Sequence, residues 1–277
     1  MIPIRIAGDS IVGRSGINLD SFGYLSDSCC TTAWVIDGVS PIILSSIDRW
    51  KFRDFYTATE IVNQKMMKSD WSDVPKRFNE IATLISSEES LKKIFSDKRL
   101  SMRPLFSIAF VKVQKIKGSY RVDYELYGDC FISIYHNDGL SIIENKEIED
   151  LKKRLDRLFG SIVFNLSISL NTCLKKLTFI LIRFFQIRFG MHRVYCISNH
   201  RPAEVRGGFV TADLQRIVIG SDGLSWCLKN EKVRKNFEQS LKNDTCTQIL
   251  ETVREHESMN SGFGNHDDST IVKLDFV

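Results

Sequence analysis

The chain contains, at residues 34–40, the stretch Trp34-Val35-Ile36-Asp37-Gly38-Val39-Ser40, an apolar and β-prone run that stops abruptly at an aspartate and a glycine. Such a run predicts a buried strand that carries one carboxylate to its end and is followed by a turn. Because burying an unpaired carboxylate is costly, we expect Asp37 to be paired, hydrogen-bonded or bound to a metal. Taken alone, Asp37-Gly38 is better explained as a simple hairpin turn.

Three other stretches also place aspartates at the ends of predicted strands. Residues 217–223 form a second apolar run that ends in Asp222-Gly223, and Asp129 lies between two strand-like segments. Asp267 and Asp268 directly precede an alternating strand at the end of the chain. Mg²⁺ and Mn²⁺ prefer oxygen ligands, mainly carboxylates, carbonyls and water. Strand-end aspartates from distant parts of the chain therefore predict a site for a hard divalent cation.

The composition is that of an ordinary globular protein. The 277 residues are 43% hydrophobic and 26% charged, which predicts one domain over residues 1–277 with a sizeable core. The net charge of +4 is mild and spread along the chain, so no nucleic-acid partner is expected.

Cysteine use and hydropathy indicate where the protein works. The seven cysteines are odd in number, form no Cys-x-x-Cys and follow no secretory pattern, so we expect reduced thiols and a cytoplasmic location. The most apolar region, residues 159–185, is interrupted by Lys175, Lys176 and Arg183, and no uncharged stretch reaches transmembrane length. We expect its helices to pack on the core rather than to attach to a membrane surface.

The hydrophobic period switches from strands to helices and back along the chain. Strands are predicted over residues 2–7, 21–28, 31–36, 105–115, 119–127, 131–136, 140–144, 195–199, 208–212, 215–220 and 268–277. Helices are predicted over residues 47–68, 74–95, 146–158, 224–241 and 245–256, and turn-rich loops over 8–16 and 200–208. This order fits an α/β layered domain with largely antiparallel sheets and helices on the outside.

Four motifs, in this order, resemble those of the PPM-type metal-dependent protein phosphatases, also called the type 2C family. They are Val35-Ile36-Asp37-Gly38, Gly128-Asp129-Cys130, Ser221-Asp222-Gly223-Leu224 and Asp267-Asp268-Ser269-Thr270-Ile271-Val272. Each motif is weak alone, but four in order, with two predicted helices after the first, are fairly specific. The resemblance implies an α-β-β-α sandwich that hydrolyses phosphoserine and phosphothreonine in phosphoprotein substrates, using a water that bridges two Mn²⁺ or Mg²⁺ ions.

The resemblance also implies which residues hold the ions. The candidates are Asp37, Gly38 through its carbonyl, Asp222, Asp267, Asp129 and Asp20. Asp37 would bridge both ions, and Asp129 would complete a third, weaker site with Asp222. Arg14 lies near the position of the family's phosphate-binding arginine, and its planar guanidinium suits a phosphoryl group.

The chain departs from the family at positions that matter for catalysis. Leu19 stands where the family has an acidic residue, Val39-Ser40-Pro41 replaces its glycines and polar residue, no histidine follows Gly38 as a general acid, and Asp268 replaces an asparagine. These departures favour an alternative, a weak or inactive pseudophosphatase that serves as a binding or regulatory module. Clustered carboxylates favour the enzyme, because they repel one another unless something positive binds. A third hypothesis is a partner-binding domain that docks through residues 159–189.

Other catalytic chemistries fit the sequence less well. Cys196 and Arg201 are one residue too close for the phosphate loop of a cysteine phosphatase, and a structural thiol explains Cys196 better. The five histidines lack the spacing of a zinc site, and the chain has no Walker-type glycine loop.

Overall fold

The computed structural model describes residues 4–12, 18–38, 50–73, 80, 106–137, 139–147, 150, 204–259 and 268–276. In this part of the chain the strands are β1 (Ile4–Ile11), β2 (Ser21–Ser26), β3 (Cys30–Gly38), β4 (Phe106–Ile116), β5 (Ser119–Tyr127), β6 (Phe131–His136), β7 (Gly139–Glu144), β8 (Glu204–Thr211), β9 (Leu214–Gly220) and β10 (Ser269–Phe276). The helices are α1 (Trp50–Met67), α2 (Asp222–Lys229), α3 (Glu231–Asn243) and α4 (Cys246–Met259).

The strands form two five-stranded antiparallel sheets. Sheet I has the order β1-β10-β9-β6-β7, and sheet II has the order β2-β3-β4-β5-β8. The predicted layered architecture with two antiparallel sheets and outer helices is therefore confirmed. The chain crosses from sheet II to sheet I between β5 and β6, where residues 128–130 connect the two.

The two faces of each sheet bury different sets of apolar side chains, as the alternation along a strand requires. Ala33 and Val35 of β3 belong to the core cluster that also contains Ile132 and Ile217 of sheet I, so this cluster lies between the sheets. Trp34 and Ile36 belong to a second cluster, on the outer face of sheet II. Burial of each such large side chain contributes about 1.5–3 kcal/mol, which fixes the register of β3 and hence the position of Asp37.

Helices cover both outer faces. On sheet II, Trp34 packs with Ala58, Val62 and Met66 of α1, and its indole Nε1 donates a hydrogen bond to the Asn63 side chain at 2.8 Å. On sheet I, helices α2, α3 and α4 enclose a cluster with buried members Leu224, Phe237, Ile249 and Val253, which packs on Phe131 and Ile271. The described elements thus form a helix–sheet–sheet–helix sandwich.

The largest differences between predicted and observed boundaries are at β1, β8 and the helix predicted over 224–241. Strand β1 runs to Ile11 through residues predicted as turn, because it pairs with β10 along its whole length and Gly8 lies against the ring of Phe22. Strand β8 begins at Glu204, within a predicted loop, because it pairs with β5. The single helix predicted over 224–241 is two helices, since Asn230 has extended backbone angles and caps α3 by accepting from the Lys232 amide at 3.1 Å.

The predictions for residues 74–79, 81–95, 151–189 and 195–199 lie outside the described residues. Among the helices that are described, none combines the length and the apolar character needed to cross a membrane.

Candidate metal centre

Asp37 is the penultimate residue of β3, and the register of sheet II determines its neighbours. It pairs with Ser107 at the beginning of β4 and is 8% exposed. Its Oδ2 accepts a long hydrogen bond, 3.4 Å, from the backbone amide of Asp222, the first residue of α2, which follows β9 of sheet I. The carboxylate at the end of β3 is therefore held towards the N-terminus of a helix, where partial positive charge favours anions.

Asp129 lies in the crossover from sheet II to sheet I. Gly128, the residue before it, has φ +84°, and a Cβ there would overlap the Ser107 side chain. A left-handed backbone angle and this close approach both require glycine. The Ser107 hydroxyl donates a 2.6 Å hydrogen bond to Asp129 Oδ1. Ser107 thus contacts one acidic residue through strand pairing and orients another through its side chain.

Asp222 is the first residue of α2 and follows the end of β9. Ser221, just before it, is tied to β10 on two sides: its amide donates to the Thr270 carbonyl, and its Oγ accepts from the Thr270 amide, both at 3.0 Å. Since Ser221 is fixed in this way, the direction in which the chain enters α2 is fixed as well. The structure therefore delivers Asp222 from sheet I to the same place that Asp37 reaches from sheet II.

The three carboxylates form one group. One oxygen each from Asp37, Asp129 and Asp222 all lie within 4.8 Å of one another, with Asp37 and Asp129 buried and Asp222 half-buried. Like charges this close and this poorly hydrated repel strongly unless a cation or protons compensate them. An all-oxygen donor set of this kind fits a hard divalent cation such as Mg²⁺ or Mn²⁺.

Cys130 and Asp20 lie beside this group. Burial raises the pKa of the Cys130 thiol well above its usual range, and the charges of Asp37, Asp129, Asp20 and Asp222 raise it further. A thiol in this setting stays protonated and is a poor nucleophile. Asp20, 6% exposed, directly precedes Ser21, which pairs with Ile36 of β3, so Asp20 lies beside the Asp37 end of that strand.

Gly38 is hemmed in on the side where a side chain would project. A Cβ there would collide with the carbonyl oxygen of Leu19 and lie 2.8 Å from Thr59 Oγ1. Leu19 itself is fully buried. The chain therefore needs glycine next to Asp37 for close packing of two backbone segments.

Comparison with solved structures identifies the architecture. The S. agalactiae serine/threonine phosphatase superimposes with a TM-score of 0.55 at 13% identity, covering 99% of this chain and all of the other. RsbX, solved in complex with magnesium, gives 0.52 at 11% identity over the full length of both chains. A structure that contains the PP2C phosphatase domain of SpoIIE from Bacillus subtilis gives a TM-score of 0.53 at 10% identity. The match covers 99% of this chain and 63% of the SpoIIE chain. The chain has the PP2C phosphatase fold.

Sequence comparison adds nothing to this assignment. No protein-family model matches the chain, and no curated protein matches it in sequence. The PP2C fold is therefore evident from the tertiary structure, while the four short motifs are the part of it that the sequence displays.

Several predicted site residues fall outside the described part of this PP2C fold. Arg14, Asp267 and the stretch Val39-Ser40-Pro41 are among them. Asp268, next to Asp267, is described: it is 6% exposed, and its Oδ2 accepts a 2.7 Å hydrogen bond from the Leu19 amide.

Ser107 supports the site but was not named from the sequence, and Ser221 and Thr270 were named only as members of motifs, without a supporting role. No residue-type signal marks them, because serine and threonine are common in strands and turns. Ser107 could have been found only from the pairing of β3 with β4, which places it opposite Asp37.

Proposed function

We propose that this protein is a metal-dependent phosphatase that removes phosphate from phosphoserine and phosphothreonine in proteins. The observation that carries the proposal is the group formed by Asp37, Asp129 and Asp222 at the junction of the two sheets. The PP2C fold supports it, as does the magnesium bound by the structurally similar RsbX. We propose the whole chain, residues 1–277, as one phosphatase domain.

The proposed ion-binding residues are Asp37, the carbonyl of Gly38, Asp222, Asp129, Asp267 and Asp20. Two Mg²⁺ or Mn²⁺ ions bound there, with a third and weaker one, would supply charge neutralisation at the phosphoryl group and an activated water. Phosphate monoester hydrolysis is extremely slow without such help.

The protein's own residues would prepare this site in two ways. The Asp222 amide and the Ser107 hydroxyl hold the Asp37 and Asp129 carboxylates in place before any ligand arrives, so little reorganisation is needed on binding. Burial of Asp37 and Asp129 lowers the local dielectric and strengthens their interaction with a cation. Arg14 is proposed to bind the phosphate through its guanidinium.

The test is hydrolysis of p-nitrophenyl phosphate and of a phosphothreonine peptide, with Mn²⁺, with Mg²⁺ and with a chelator. We expect slow turnover that requires the metal and that Asp37→Asn abolishes. Asp123→Asn is the matched control, since Asp123 lies on β5 beside exposed Arg121 and outside the acidic group. Turnover that survives the chelator, or that Asp123→Asn removes as completely as Asp37→Asn, would contradict the proposal.

A second candidate function, a metal-binding pseudophosphatase, is favoured by Leu19. This apolar residue is fully buried where the resembling family has an acidic residue, and its amide is engaged by Asp268. Mn²⁺ binding by calorimetry without turnover on either substrate would establish this function instead of the enzyme.

A cytoplasmic location is proposed from the sequence. Free thiols at Cys29, Cys30, Cys130, Cys227 and Cys246 agree with a reducing compartment. Fractionation of cells that express a tagged protein would test it.

A further inference from the structure

The Asp268 carboxylate joins two segments that are 249 residues apart in the chain. Its Oδ2 accepts a 2.7 Å hydrogen bond from the Leu19 amide, and this contact is buried. A hydrogen bond from a backbone amide to an ionised carboxylate is about twice as strong as a neutral one. Without that acceptor, the Leu19 amide would be left buried and unsatisfied.

The segment held in this way, Asn18–Asp20, is also tied to the strands of sheet I. Asn18 Oδ1 accepts from the Asp20 amide at 3.0 Å, and Asn18 Nδ2 donates to Ser10 Oγ at 2.5 Å. Ser10 Oγ in turn shares a 2.5 Å hydrogen bond with Thr270 Oγ1 on β10. The position of Asp20 therefore depends on contacts made by the two residues before it.

The two partners of the hydrogen bond also touch the two glycines that follow the clustered aspartates. The Leu19 carbonyl occupies the space where Gly38 would carry a Cβ, and the Asp268 carbonyl does the same at Gly223. The Leu19–Asp268 hydrogen bond thus connects the packing of the Asp37-Gly38 end with that of the Asp222-Gly223 end.

We propose that Asp268 is a positioning residue that places the Asp20 carboxylate beside the acidic group by holding the amide of Leu19. The proposal rests on the proposed metal centre, to which Asp20 contributes. Asp20 lies between Leu19, whose carbonyl packs against Gly38, and Ser21, which pairs with Ile36, so its backbone is next to Asp37.

The test compares Asp268→Asn with Asp268→Ala by Mn²⁺ calorimetry and by hydrogen exchange of the Leu19 amide. Asparagine keeps an acceptor oxygen, so we expect Mn²⁺ affinity to fall by less than about threefold. Alanine removes it, and we expect a loss of about 10–100-fold, the range typical for groups that orient metal ligands, with faster Leu19 exchange. Asp268→Ser, which is too short to reach, should give the same result if the alanine variant does not fold.

Two comparisons separate positioning from general destabilisation. Asp244→Ala removes the carboxylate that accepts from Ser240 Oγ at the end of α3, and it should lower the melting temperature without changing Mn²⁺ affinity. In an Asp20→Ala background, Asp268→Ala should have little further effect on Mn²⁺ affinity, because the Asp20 carboxylate that Asp268 positions is already absent.

The outcomes distinguish this inference from the function on which it rests. A wild-type protein that does not bind Mn²⁺ would overturn the metal centre. Fully additive losses from Asp20→Ala and Asp268→Ala, or unchanged Leu19 exchange in Asp268→Ala, would overturn the positioning role while the metal centre stands.

Discussion

The chain segments at the ends of β3 and β9 share the local sequence Asp-Gly but differ in structure. Asp37-Gly38 closes β3 and is still part of sheet II, whereas Asp222-Gly223 lies beyond β9 and begins helix α2. Asp37 is buried and Asp222 is half-buried. In both places the glycine lets a backbone carbonyl from a distant segment approach, that of Leu19 or that of Asp268. An apolar run before Asp-Gly therefore predicts where a carboxylate is delivered, and not the element that carries it.

The largest expected effect comes from removing one of the two aspartates. Asp37→Ala should weaken Mn²⁺ binding by more than about 100-fold, since even residues that merely orient ligands change metal affinity by roughly 10–100-fold. Asp222→Ala should weaken it less if Asp37 bridges two ions. Isothermal calorimetry on both variants measures the difference, and equal losses would argue against a bridging role for Asp37.

The same two substitutions, which weaken Mn²⁺ binding, should not destabilise the metal-free protein. Removing one of three close carboxylates relieves repulsion, so the melting temperature in chelator should stay the same or rise. A lower melting temperature in chelator would indicate that Asp37 stabilises the fold through its hydrogen bond with the Asp222 amide.

The next effect concerns the glycines. Gly38→Ala and Gly223→Ala would each push a methyl group into a backbone carbonyl, which cannot rotate away. We expect each to lower the free energy of unfolding by about 1–3 kcal/mol, measured by urea denaturation, and to weaken Mn²⁺ binding. Gly118→Ala is the control, because its left-handed angle carries a strain of about 1–2 kcal/mol while open space surrounds it. That variant should leave Mn²⁺ affinity unchanged.

A smaller effect is expected at Leu19, which contacts the Asp37-Gly38 end. Leu19→Glu places a carboxylate at a fully buried position, so it should lower the melting temperature without metal. Added Mn²⁺ should raise that temperature more than it does in the wild type, because a cation compensates the new charge. Leu19→Gln introduces a neutral side chain of the same size as glutamate. It should lower the melting temperature without metal, but added Mn²⁺ should raise that temperature no more than in the wild type. Equal Mn²⁺ shifts in both variants would place this side chain outside the metal centre.

The smallest effect on activity is expected from alkylation of the cysteines, whether they lie near the two strand ends or far from them. Cys130 is buried beside both aspartates with a raised pKa, whereas Cys29 is exposed, and its pKa is raised by its hydrogen bond to Asp27. Iodoacetamide at pH 8 should modify Cys29, spare Cys130 and leave metal-dependent turnover intact. Asp27→Asn removes the charge that opposes the Cys29 thiolate and should speed that modification, as measured by mass spectrometry. Loss of activity that phosphate prevents would contradict the metal mechanism.

The local signals in the sequence predicted much of the fold. The continuous apolar run from Trp34 to Ile36 correctly predicted a buried strand, and the pattern over residues 105–144 predicted the antiparallel strands β4 to β7. Boundaries were missed where pairing with a distant strand extends an element, as in β8, because no local propensity encodes a partner. Asn230 was missed because a cap inside a polar helical stretch leaves the periodicity almost unchanged.

The sequence by itself determined which residues can carry the chemistry: Asp37, Asp129 and Asp222 lie at strand ends because apolar runs stop there. Only the tertiary structure decided that their oxygens meet within 4.8 Å, since they come from β3, the crossover and α2. It also decided that Asp268 binds the Leu19 amide across 249 residues. The physical reason is that periodicity and turn chemistry act over a few residues, whereas the meeting of side chains depends on strand register and sheet packing across the whole chain.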